Sequence, residues 1–128
     1  MSAHRNLRVA LVQDRNQASA EENLALIESR VANAAARGAQ LVLLQELHNG
    51  AYFCQHQDVC EFDLAEPIPG PSTERLGKLA KQHGVVLVSS LFERRGAGLY
   101  HNTAVVFDAD GSTALVWNTL KPRSPGVK

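Results

Sequence analysis

The run Leu41-Val42-Leu43-Leu44 constrains this chain more than any other stretch: four successive aliphatic residues without polar alternation, followed by Gln45-Glu46-Leu47-His48 and a break at Asn49-Gly50. So short an apolar run reads as a β-strand covered on both faces, the kind found in parallel sheets between helix layers. Such strands deliver side chains to clefts at their carboxyl ends. Glu46 stands at one of these ends and is a candidate general base. A strand-end Glu that has merely reached water is the commoner case, and these residues alone leave both readings open.

The flanking pattern supports a mixed α/β class. Leu7 to Val12 is an expected strand, apolar except for Arg8, and it runs into the polar loop Gln13-Asp14-Arg15-Asn16. Ser19 and Glu22 fit a capping box, Leu24, Ile27, Val31, Ala34 and Ala35 recur at helical spacing, and Gly38 supplies the stop. The strand Gln40 to Gln45 follows. Strand, helix and strand with short joints favour parallel pairing.

From His48 to Ser72 no period holds, and Pro67, Pro69, Gly70 and Pro71 forbid regular structure at its far end. Long loops in compact domains are functional or disordered, and Tyr52, Phe53 and Phe62 argue for one that folds over something. Ser72 is an expected cap for a second helix in which Leu76, Leu79, Ala80 and His83 share a face and Gly84 ends the element. Val85 to Ser90 reads as a third buried strand. Tyr100 to Asp108 and Thr113 to Asn118 read as strands joined by the hairpin signal Asp108-Ala109-Asp110-Gly111.

At 128 residues the chain has the length of one domain, able to bury about two thirds of its unfolded surface. Thirteen basic residues balance thirteen acidic ones, so neither a nucleic acid nor an anionic membrane surface is an expected partner. No segment has the apolar length of a membrane span or of a secretory leader, which makes the cytoplasm the expected setting. Cys54 and Cys60 are expected as free thiols. His48, Cys54, His56 and Cys60 are the right types for zinc but lack the paired spacing of a structural site, so no metal is expected. Cys54 lies in an aperiodic loop with no helix N-terminus to lower its pKa, which disfavours it as a nucleophile. Gly96-Ala97-Gly98 leads into a strand and reads as a turn, with no phosphate cradle.

Several segments in order resemble the nitrilase or carbon-nitrogen hydrolase superfamily, and within it the carbamoylputrescine amidase branch. Val9 to Gln13 looks like the family's opening strand, Gly38 to Leu47 like its first catalytic motif, and Tyr52-Phe53-Cys54-Gln55 like a signature of that branch. Pro67 to Thr73 with the following helix, and Tyr100 to Gly111, complete a resemblance over about residues 7 to 114, with 115 to 128 a divergent tail. It implies the N-terminal part of a four-layer α-β-β-α sandwich. The implied activity is hydrolysis of a non-peptide carbon-nitrogen bond in a small amide or carbamoyl substrate, N-carbamoylputrescine by the branch signature, without a cofactor. A Cys thiolate attacks, a Glu moves protons and a Lys stabilises the oxyanion. Glu46 matches the general base, Tyr52 and Phe53 are implied near the substrate, and a complete member is expected to form a homo-oligomer.

The chain also departs from that pattern. Counting from Gly111 puts the family's lysine at Thr119, or at Asn118 with one deletion, while Lys121 lies two positions late. The family nucleophile falls beyond Lys128, and neither Cys54 nor Cys60 replaces it. Family domains are more than twice this long. Two expectations follow for these 128 residues on their own: no turnover, and a bare apolar sheet face. A non-catalytic assembly module using that face is the alternative from another class. A small doubly wound ligand-binding domain is a third, weakened by the missing glycine-rich turn after Val12.

Overall fold

The computed structural model describes residues 5–48 and 65–118. The elements run β1 (Val9–Val12), α1 (Ala20–Ala36), β2 (Leu41–Leu44), α2 (Pro71–His83), β3 (Val86–Gly96), β4 (Leu99–Phe107) and β5 (Thr113–Asn118). They form one five-stranded sheet in the order β1-β2-β3-β4-β5. β1, β2 and β3 are mutually parallel, and β4 and β5 continue the sheet antiparallel. The change from crossovers to hairpins falls at the end of β3, one connection before the hairpin marked by Asp108-Ala109-Asp110-Gly111.

Local chemistry sets the helix limits. Ser19 Oγ accepts the Glu22 N–H at 3.1 Å, while the Glu22 carboxylate reaches one residue further back than a capping box requires and takes the Ala18 N–H at 3.0 Å. Gly38, at φ 90, turns the chain out of α1, with the Arg8 guanidinium where a Cβ would point. The second helix begins earlier than its expected cap: Gly70 is the N-cap and Ser72 is buried inside the first turn. Pro71 explains the shift, because its fixed φ suits the first helical position and moves the cap before it. The Gly70 N–H donates to Thr73 Oγ1 at 2.7 Å, and that hydroxyl donates to the Gly70 carbonyl at 2.9 Å. Gly84, at φ 61, closes the helix.

Both helices lie on the same side of the sheet. Leu24, Ile27 and Val31 of α1, with Leu76, Leu79 and Ala80 of α2, pack on Val42, Leu44, Leu87, Leu91, Val105 and Phe107. The other side carries the alternate strand residues, and Leu11 is 74 % exposed, Trp117 65 %, Leu115 52 %, Val9 48 % and Leu43 40 %. This corrects the expected double coverage of β2. The run Leu41-Val42-Leu43-Leu44 is apolar on both faces, yet the described residues supply a helix layer for only one of them. Among the described residues, the apolar face expected from the resemblance has no layer over it.

β3 extends six residues past its expected end at Ser90, because its antiparallel partner β4 supplies hydrogen bonds as far as Gly96. Ala97-Gly98 makes the turn, with Gly98 at φ 73. Just before α2, Glu66 pairs with β3: its N–H donates to the Phe92 carbonyl at 3.0 Å, and its own carbonyl accepts the Arg94 N–H at 2.7 Å. At the other hairpin the Asp108 N–H donates to the Ser112 carbonyl at 2.8 Å. Asp110 Oδ1 accepts the Ser112 N–H at 2.8 Å and its hydroxyl at 2.5 Å, which holds the Asp110 carboxyl below its usual range.

Candidate active site

β2 ends at Leu44, and the chain turns sharply over the following four residues. Gln45 anchors the turn on one side: its Oε1 accepts the Asp14 N–H at 2.8 Å, and its Nε2 donates to Asn16 Oδ1 at 3.4 Å. Asp14 is in turn gripped by the Arg30 guanidinium, with Nε and Nη2 both donating at 2.9–3.2 Å. This pairing holds Arg30 above its ordinary pKa. Leu47 adopts φ 49, a left-handed conformation that costs a leucine about 1–2 kcal/mol. Its side chain is only 5 % exposed, and burial of that size offsets the cost.

Glu46 is thereby turned out of the core, exposed, with its carboxylate on the bare side of the sheet. Asn102 of β4 donates its side-chain Nδ2 to Glu46 Oε1. Asn102 Oδ1 accepts the Ser90 hydroxyl of β3 at 2.9 Å, and Ser90 Oγ accepts the Leu47 N–H at 3.0 Å. The ring of contacts therefore leaves the turn through the Leu47 backbone and returns to it through the Glu46 carboxylate. Phe92 faces Asn102 in the β3–β4 register, and its ring contacts Tyr100 at a centroid distance of 5.7 Å. A carboxylate held by a strand-borne amide can accept a proton from a nucleophile placed near it.

The opposite face carries a second polar group. Glu93 is 4 % exposed and accepts the Thr103 hydroxyl at 2.8 Å, with Asn118 Oδ1 2.9 Å from the same hydroxyl and Arg95 3.3 Å from the Glu93 carboxylate. Asn118 is one of the two positions at which counting from Gly111 puts the lysine that the resemblance implies. Its side chain turns to Thr103, on the side of the sheet away from Asn102. Lys78 pairs with Glu74 on α2, and Lys81 of the same helix lies by Asp110, so neither stands in for that lysine.

Glu46 is thus at the end of β2 as expected, and the structure brings Ser90 and Asn102 to it. Sequence reasoning assigned no role to these two; the signal available was a small polar residue among the apolar residues on that face of each strand, Val88 and Phe92 flanking Ser90 and Ala104 and Val106 following Asn102. Tyr52, Phe53, Cys54, His56, Cys60, Thr119 and Lys121 lie outside the described residues. His48 is buried, lining a small cleft with Asp14, Asn23, Ile27 and Gln45. No group of three His, Cys, Asp or Glu side chains among the described residues could hold a metal ion. No helix among them is long and apolar enough to cross a membrane.

The carbon-nitrogen hydrolase family model matches residues 8–124, and the chain belongs to that family. It is 42 % identical over 113 residues to a citrullinase of Francisella tularensis, covering 88 % of this chain and 39 % of that protein. It is 39 % identical over 108 residues to the N-carbamoylputrescine amidase of Arabidopsis thaliana, covering 83 % of this chain and 36 % of that enzyme. The crystal structure of a carbon-nitrogen hydrolase from Helicobacter pylori superposes with a TM-score of 0.85 at 35 % identity, over 91 % of this chain and 41 % of that one. The chain therefore spans about two fifths of the length of the relatives it matches.

Proposed function

We propose that Glu46 is the general base of a carbon-nitrogen hydrolase acting on a small carbamoyl or amide compound, with N-carbamoylputrescine the favoured substrate and citrulline its nearest competitor. The observation that carries this reading is the Glu46 carboxylate held by Asn102 at the end of β2, in a segment, Gly38 to Leu47, that resembles the family's first catalytic motif. A base must be oriented as well as ionised, and a donor fixed on a strand orients it. In the complete reaction a Cys thiolate attacks the carbamoyl carbon, Glu46 relays the proton to the leaving nitrogen, and a cation holds the oxyanion. Tyr52 and Phe53 are proposed to border the substrate. The setting proposed is cytoplasmic polyamine metabolism, with homo-oligomerisation of the complete enzyme.

The 128 residues on their own are proposed to be inactive, because neither Cys54 nor Cys60 matches the family nucleophile and Asn118 faces Thr103. Incubation of the purified chain with N-carbamoylputrescine or citrulline is expected to release no ammonia above buffer. Turnover that survives Cys54→Ala and Cys60→Ala but not Glu46→Ala would sink this claim.

A second reading is favoured by the bare face itself. Leu11, Leu43, Leu115 and Trp117 are the surface expected of a non-catalytic assembly module. Sedimentation with circular dichroism separates the cases: a discrete, cooperatively unfolding oligomer supports the module, and a molten or aggregating chain supports a part of the hydrolase domain.

A further inference from the structure

We infer that Asn102 is a positioning residue for the Glu46 carboxylate, and that Ser90 sets the direction in which Asn102 donates. The inference rests on reading Glu46 as the general base and adds the device that aims it.

A serine hydroxyl has one proton. Ser90 Oγ already accepts the Leu47 N–H, and its proton goes to Asn102 Oδ1. With its oxygen so engaged, the Asn102 amide presents its NH2 group to Glu46. Turning the amide over would set its oxygen against the carboxylate and lose the charge-assisted bond. One carboxylate oxygen then takes the Asn102 proton and the other is available to a substrate or nucleophile proton.

Placement strengthens the case. Glu46 lies beyond the last residue of β2, on a long, exposed side chain whose unrestrained rotamers would spread the base over many positions. Ser90 and Asn102 sit inside paired strands, where the backbone is fixed by the β3–β4 ladder. The same hydroxyl binds the Leu47 N–H, so one residue restrains both the main chain next to Glu46 and, through Asn102, the carboxylate. Simple strand pairing needs none of these side-chain bonds.

The test uses the 128-residue chain with uniform nitrogen-15 label, following the side-chain amide signals of Asn102, assigned by their disappearance in Asn102→Asp. In the wild-type chain these signals are expected to respond to acidification of the solution, and in Glu46→Gln that response is expected to be lost. Ser90→Ala is expected to weaken the response and Ser90→Thr, which keeps the hydroxyl, to retain it. The inference is overturned if the Asn102 signals respond identically in wild type and Glu46→Gln, or if Ser90→Ala matches wild type. Backbone amide spectra confirm that each variant is folded. No turnover is required, so failure here removes the positioning role alone, whereas failure of the general-base reading is read from ammonia release by a chimera that supplies the missing nucleophile.

Discussion

The main chains of Gly77 and Gly111 meet face to face: a Cβ built on either would lie 2.9 Å from the carbonyl oxygen of the other. This contact seats α2 against the β4–β5 hairpin and lets Phe107 slide beneath the helix. In a helix interior Gly→Ala is ordinarily worth up to about 1 kcal/mol of added stability. At Gly77 the sign reverses, because the atom it would strike is backbone. Gly77→Ala is expected to destabilise by about 1–3 kcal/mol in urea unfolding, and Gly111→Ala by at least as much, since Gly111 also sits at φ 89. A more stable Gly77→Ala variant contradicts this packing.

Arg75 ties the two helices together, with Nε donating to Glu28 at 2.5 Å and Nη1 to Glu21 at 2.7 Å. The hydrogen bond from Arg75 is the main cause holding the Glu28 carboxyl below its ordinary value, against a smaller opposing push from burial. A carboxyl depressed in the folded state adds stability above its unfolded pKa, and this is lost as pH falls through the folded one. Both partners are partly exposed and screened by solvent, so Glu28→Gln is expected to cost about 0.5–1 kcal/mol near neutrality. The difference from wild type should be smaller at about pH 3, below the ordinary carboxylate range, because the contribution is lost on the way down to the depressed folded-state value. Chemical denaturation at both pH values checks it, and a cost that persists unchanged in acid contradicts it.

Leu11 and Trp117 lie at opposite edges of the bare face. Leu11→Lys combined with Trp117→Ser is expected to reduce self-association or binding of an apolar dye, while changing stability by no more than about 0.5 kcal/mol. Sedimentation velocity and dye fluorescence read the first expectation and thermal unfolding the second. Unfolding of the double variant would mean that this face is already covered within one chain.

Much of the fold was legible because its signals are local. Leu24, Ile27 and Val31 announced α1, Gly38 and Gly84 the helix ends, and Asp110-Gly111 the hairpin, each within a few residues of its effect. Ser72 misled because Pro71 moved the cap, a competition between two local rules. Glu46 was legible as an acid ending an apolar strand. Its partner was not: Asn102 is 56 residues away and reaches it only through strand pairing that brings β4 beside β3. Leu43 shows the converse. Its apolar character was read correctly, but which layer covers it is not written in its own neighbourhood.

The central claim, that Glu46 is a general base, is tested most directly in a chimera. Residues 8–114 of this chain would replace the matching segment of the Arabidopsis thaliana N-carbamoylputrescine amidase, leaving that enzyme's own lysine and cysteine in place, and ammonia release from N-carbamoylputrescine would be followed. The account predicts a folded chimera that turns over, and a Glu46→Gln version whose kcat falls by about 10²–10⁴-fold with KM little changed. Undiminished turnover in the Glu46→Gln chimera, or a folded chimera that releases no ammonia, would contradict it.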